Sequence, residues 1–193
     1  MFRKIISLSF GMIFLVLMGE VPMAADNYQT LFDFKKTDAA NEWQAVNDGV
    51  MGGISDGRIK ITAEKKMVFY GTLSLENNGG FASIRSNPKN LNLKKGDTLV
   101  IRVRGDGREY SLNLYTQTRL TAFSYRAMFT TKENEWIEAR IPMDRFVATS
   151  FGRIIQDSPL DPREVNGLGI LLSDKKAGRF KLEIEWIKVV KTE

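Results

Sequence analysis

The sequence predicts an all-β fold, a β-sandwich or jelly roll, on three observations. Apolar and polar residues alternate with a period of two over short stretches, turn clusters rich in Gly, Asn and Asp separate these stretches, and no amphipathic helix of length interrupts them. Roughly nine or ten strands with turns every 8 to 12 residues or so suit a single sandwich.

The elements follow in order. Arg3 and Lys4 precede an uncharged, largely apolar run from Ile5 to Met18, and a more polar stretch leads to Ala24 and Ala25. This is the order of parts in a secretory signal, so residues 1–25 are expected to be a signal peptide and the chain periplasmic or secreted. If the segment is not cleaved it serves as an N-terminal anchor, and membrane contact is expected only in that case. Residues 26–193 then form a single domain. Within it, strands are expected at Arg58 to Thr62, Met67 to Leu75, Phe81 to Arg85, Leu99 to Arg104, Tyr110 to Tyr115, Ala122 to Phe129, Glu135 to Ile141 and Gly167 to Leu172. Phe180, Leu182, Ile184 and Trp186 alternate with charged residues, after which Ile187 and Val189 break the phase; a bulge or two-sided burial would account for the slip. Between strands stand the turn signals "ENNGG" (76–80), "KKGD" (94–97), "GDG" (105–107), "KEN" (132–134) and "DKKAG" (174–178), each able to close a hairpin. Met143 to Glu164, with Pro159 and Pro162, reads as a long surface loop.

Composition excludes several kinds of chemistry. The chain has no cysteine and no histidine, which removes disulfides, thiol catalysis and the usual zinc sites, together with the commonest general base. The net charge of +5 is spread in lysine pairs flanked by acids or turns, a pattern of solvated loop ends that points away from nucleic acid. No cofactor, metal or catalytic residue is expected. The carboxylate pairs Asp48 with Asp56 and Asp157 with Asp161 are the nearest approach to a hydrolase, but aspartates beside glycine and proline are ordinary turn formers.

The segment "NDGVMGGISDG", Asn47 to Gly57, is the main puzzle. It lacks the Lys-Ser/Thr ending of a phosphate loop and the spacing of a calcium loop, leaving a tight turn with positive φ values or a binding rim. "NGGFASIRS" at 78–86 has the same ambiguity, with Phe81 and Ile84 directed to a core and Arg85 outward. "RGDG" at 104–107 reads as a two-residue hairpin turn. Among Tyr110, Tyr115, Phe123, Tyr125 and Trp136, Tyr115 is expected to face away from the core because Leu112 and Leu114 occupy the opposite side.

Six segments in order resemble the complex I intermediate-associated protein 30 family: "VNDGVMGGISDG", "GTLSLENNGGFASIRS", "IRVRGDGREYSLNL", the strands around "EWIEARIPM", "FGR" at 151–153 and "GLGILLSDKKAGRFKLEIEWIKV". They run from about Leu31 to Val190. The signature residues are Asn47, Asp48, Gly49, Gly52 and Gly53, then Asn78, Gly79, Gly80, Phe81 and Arg85, then Gly105, Asp106, Gly107 and Tyr110. The resemblance implies a galactose-binding-like sandwich and a non-enzymatic, chaperone-like assembly factor. Its expected partner is a protein, such as an envelope or respiratory-complex assembly intermediate. The expected contacts are Asn47, Asp48, Asn78, Arg85 and Tyr115, with Asp48 and Arg85 as polar anchors. The alternative is a carbohydrate-binding module using Tyr115, Arg85 and Asn78.

Overall fold

The computed structural model describes residues 27–36, 38–118 and 122–192; the signal or anchor segment expected at 1–25 lies outside the described residues. The described chain is a two-sheet antiparallel sandwich. Its strands are β1 (Tyr28–Asp33), β2 (Trp43–Asn47), β3 (Asp56–Ile61), β4 (Met67–Leu73), β5 (Ala82–Ser86), β6 (Thr98–Arg104) and β7 (Glu109–Tyr115). They continue as β8 (Phe123–Thr130), β9 (Trp136–Pro142), β10 (Val147–Ser150), β11 (Arg153–Ile154), β12 (Gly167–Leu172) and β13 (Gly178–Val190). One sheet runs β3-β4-β13-β6-β9, with β1 beside the far half of β13; the other runs β11-β10-β8-β7-β12-β5-β2.

The alternating residues decide how the sheets meet. Phe69, Leu99, Ile101, Leu182 and Ile184 from the first sheet bury against Ile84, Tyr110, Leu112, Leu114 and Ile170 from the second. Each such side chain contributes about 1.5 to 3 kcal/mol by leaving water. The phase slip near the C-terminus is a β-bulge: the register against β6 shifts between Ile184 and Trp186. Trp186 therefore leaves the inward series and lies outside under Lys188, whose Nζ is 4.2 Å from the ring centroid. Ile187 and Val189 take up the buried series after the shift.

The turns behave differently from expectation. "GDG" closes no hairpin, because β6 and β7 belong to different sheets. The same holds for 76–80, 94–97, 132–134 and 174–178: each carries the chain across the sandwich. Adjacent strands pair directly only at β3–β4, β7–β8 and β10–β11 among the described residues. The stretch read as a loop from Met143 to Glu164 contains β10 and β11, since Val147 to Ser150 extend the second sheet before the prolines are reached.

Candidate functional site

The segment Asn47 to Gly57 crosses from β2 in one sheet to β3 in the other, and its centre is Asp48. Asp48 is fully buried. Its Oδ1 accepts from the Ser55 amide at 2.9 Å, and its Oδ2 accepts from the Ser55 hydroxyl at 2.6 Å and the amides of Gly80 at 2.7 Å and Phe81 at 3.2 Å. The Ser74 amide in turn donates to Ser55 Oγ at 3.0 Å. One carboxylate thus joins the crossings 48–55 and 74–81. Burial by itself raises its pKa, but the Ser55 hydroxyl and the three amides more than offset that and hold the carboxyl below the usual carboxylate range.

The glycines around it are explained by close approach. A Cβ on Gly53 would lie 2.4 Å from Asp48 Cγ, and one on Gly79 would lie 2.6 Å from Asp48 Oδ2. Gly52, at φ +89°, makes the left-handed step that returns the chain after a short turn of 3-10 helix. The segment is therefore a clasp, and the reading of Asp48 as a polar anchor open to a ligand is corrected: its oxygens are engaged from within. Asn47 also faces inward, its Nδ2 donating to the Gly57 carbonyl at 3.0 Å. Asn78 is exposed in a left-handed conformation.

Beside the exposed Glu76, Asn77 and Asn78, the clasp presents four large apolar side chains to solvent. Val50 is 76% exposed, Ile54 55%, Met51 51% and Leu75 46%. These four belong to the two crossings that Asp48 joins. Local sequence gives no signal for them, since an apolar residue between glycines has no periodicity that tells an exposed position from a buried one.

Arg85 and Tyr115 are brought together elsewhere, on the outward face of the seven-stranded sheet. Pairing aligns Gln44, Arg85, Gly169, Asn113, Arg126 and Val147 in one row across β2, β5, β12, β7, β8 and β10. Gly169 leaves a gap in that row which the Tyr115 ring fills: a Cβ at 169 would be 2.8 Å from Tyr115 Cε2. The Arg85 guanidinium carbon stands 4.9 Å from the ring centroid. Burial pushes the Tyr115 phenol up, with the charges of Arg85 and Arg126 opposing, and it pulls the Arg126 guanidinium down. Arg126 was not a sequence candidate; its signal was its even position in a strand whose odd positions are apolar.

Three of the four carboxylates considered for hydrolysis are engaged within the fold. Asp48 is sealed, Asp56 pairs with Arg58 at 2.7 Å, and Asp161 pairs with Arg163 at 2.7 Å. Among the described residues no group of three or more His, Cys, Asp or Glu could hold a metal ion.

A family model described as complex I intermediate-associated protein 30 matches residues 32–184. The chain belongs to this family. The Mus musculus protein named complex I intermediate-associated protein 30, mitochondrial, is 30% identical over 183 residues, which cover 83% of this chain and 56% of that protein. The Drosophila melanogaster protein of the same name is 28% identical over 180 residues, 81% of this chain and 61% of that one. The chain thus spans less than two thirds of either relative's length. Both relatives are named as mitochondrial, which overturns the periplasmic or secreted location expected from residues 1–25. Most of the family signature falls on the crossings, with Arg85 on β5 and Tyr110 on β7: Asn47 to Gly53 and Asn78 to Phe81 form the clasp, and Asp106 accepts from the Lys181 amide at 2.9 Å and the Tyr110 hydroxyl at 3.1 Å.

Among solved structures, the sandwich is similar to a family 11 carbohydrate-binding module from Clostridium thermocellum in complex with a β-1,3-1,4-mixed-linked tetrasaccharide. The TM-score is 0.66 at 14% identity, over 88% of this chain and 98% of that one. An agarase is similar at TM-score 0.60 and 8% identity, over 86% of this chain and 25% of that one. Likeness at these identities is one of fold, a galactose-binding-like β-sandwich.

Proposed function

We propose that residues 26–193 are a non-enzymatic binding domain that holds a protein partner, an intermediate of complex I assembly, through the apolar rim of Val50, Met51, Ile54 and Leu75. The observation behind this reading is the construction of that rim. Four large apolar side chains stand in solvent on crossings that a buried, multiply bonded carboxylate keeps in one arrangement, as a preorganised protein contact requires. The family supports a protein partner, since its members carry the name of an association with complex I intermediates.

The test is crosslinking of the tagged full-length chain in its own cells, with mass spectrometry of what it holds, beside a Val50→Asp/Ile54→Asp variant. Both positions are exposed, so the variant keeps its melting temperature. Enrichment of complex I subunits that the variant loses supports the proposal; enrichment that the variant retains, or none at all, refutes it.

The carbohydrate alternative has the sandwich in its favour. On the strand positions of the seven-stranded face, however, the one aromatic ring among the described residues is Tyr115, half-buried with its hydroxyl covered. A stacking platform for a glycan chain needs a second ring beside it.

A further inference from the structure

Arg85 and Arg126 differ from the other half-buried arginines of this fold. Arg102 bonds Glu185 and Glu138, Arg104 bonds Glu183, and Arg108 makes a two-pronged contact with Asp174. Among the described residues Arg85 and Arg126 have no ion pair, and the Nε of each is buried with no hydrogen-bond partner there. The Tyr115 hydroxyl on the same face is also buried, with the Asn113 side chain beside it. Glu109 is the carboxylate of the described strand positions on this side, and it stands four residues along β7 from Asn113, about 13 Å away. The row register places Arg85 and Arg126 three strand spacings apart, about 14 Å between backbones, with Gly169 and Asn113 between and the Tyr115 ring over Gly169. The Arg85 guanidinium carbon stands 4.9 Å from the Tyr115 ring centroid, and the charges of both arginines act on the Tyr115 phenol.

A half-buried guanidinium whose Nε is sealed from water without a partner is unfavourable, and two on one face, each with an orphan donor, are not accounted for by folding. Their forked donors match the two oxygens of a carboxylate, and the phenol can donate to the same group. We propose that the outward face of the seven-stranded sheet is a carboxylate-binding site built from Arg85, Tyr115 and Arg126, and that its occupant is an Asp or Glu side chain from an acidic segment of the partner. The choice of occupant rests on the protein-partner reading; the carboxylate chemistry does not.

The probe is a hexaglutamate peptide titrated calorimetrically into the full chain, with hexaglutamine, trigalacturonate and the variants Arg85→Gln, Arg126→Gln and Arg58→Gln alongside. Hexaglutamate is expected to bind and hexaglutamine not; each of the first two variants weakens binding tenfold or more, and Arg58→Gln, at an exposed ion pair, leaves it unchanged. Arg126→Gln is also expected to hold or raise the melting temperature, because it removes an uncompensated buried charge. Absence of hexaglutamate binding, binding indifferent to Arg126→Gln, or a melting temperature that falls in that variant by more than 5 °C or so overturns the site. Trigalacturonate bound ten times tighter than the peptide overturns the proposed occupant. In the crosslinking experiment, capture of complex I subunits that survives Arg85→Gln/Arg126→Gln refutes this inference and leaves the rim reading standing. Hexaglutamate binding by a chain that captures no such subunits supports the carboxylate site and refutes the partner.

Discussion

Replacing Asp48 by alanine isolates what the clasp does. The substitution removes an acceptor from three amides, those of Ser55, Gly80 and Phe81, and from the Ser55 hydroxyl. Hydrogen bonds to a charged group are worth about 1.5 to 3 kcal/mol each, and an orphaned buried donor costs about 1 to 3 kcal/mol. Four such terms do not add in full, because water can reach the loop donors once the side chain is gone. A net loss of about 3 to 5 kcal/mol follows, or a fall of about 10 to 15 °C in melting temperature for a chain of this length. Asp48→Asn keeps one acceptor but turns an amide NH₂ toward the glycine-rich crossing, so about half the loss is expected. Differential scanning calorimetry of both variants checks the order. An Asp48→Ala protein melting within about 2 °C of the parent would show that the crossings are held by packing alone, and the account of the rim as preorganised by this carboxylate would fail with it.

Other outcomes follow from the same geometry. Asp48, Asp97, Asp174 and Glu183 are all held below the usual carboxylate range. As pH falls, the unfolded chain takes up protons before the folded one, so this stabilisation is present at neutral pH and is lost from about pH 4 downward; thermal melts between pH 7 and pH 2 test the direction. Asp174→Ala strands the largely buried Arg108 guanidinium and is expected to cost about 3 to 5 kcal/mol in urea denaturation, whereas Asp161→Ala, at an exposed pair, is expected to leave the midpoint where it was. Gly169→Ala places a methyl 2.8 Å from both the Ile84 carbonyl and Tyr115, and a loss of about 1 to 3 kcal/mol is expected by the same assay.

Much of the sandwich was legible because a pleated strand writes its two faces into alternate residues. Leu112 and Leu114 against Tyr115, and Ile84 against Arg85, sort to opposite sides as the alternation requires. The period does not say which strand lies next to which. Gly-Asp-Gly at 105–107 has the residues of a hairpin, yet the same positive φ and close approach serve a crossing: Gly105 packs on Thr131, where a Cβ would come within 2.4 Å. Asp48 illustrates the corresponding limit for the site. An aspartate among glycines looks the same in sequence whether its oxygens face solvent or four internal donors, and only the fold brings Gly80, 32 positions away, to within 2.7 Å of it. Arg126 was overlooked for a related reason, since nothing local shows that no carboxylate reaches it. The apolar run behind Arg3 and Lys4 preserves the order of a targeting segment without naming its compartment.

The placement of β13 sets the order in which this molecule can be made. It is the last of the described strands in chain order, yet it occupies the middle of its sheet, with β6 on one side and β4 and β1 on the other. Until Val190 has emerged, the first sheet is a set of separated ribbons with open edges, and the inner face of the second has nothing to close against. Folding of the sandwich therefore waits for β13 and is dominated by pairings distant in sequence, which places it among slow-folding topologies. During that interval the nascent domain offers unpaired strand edges to its surroundings, and it passes through a stage in which it needs shielding itself.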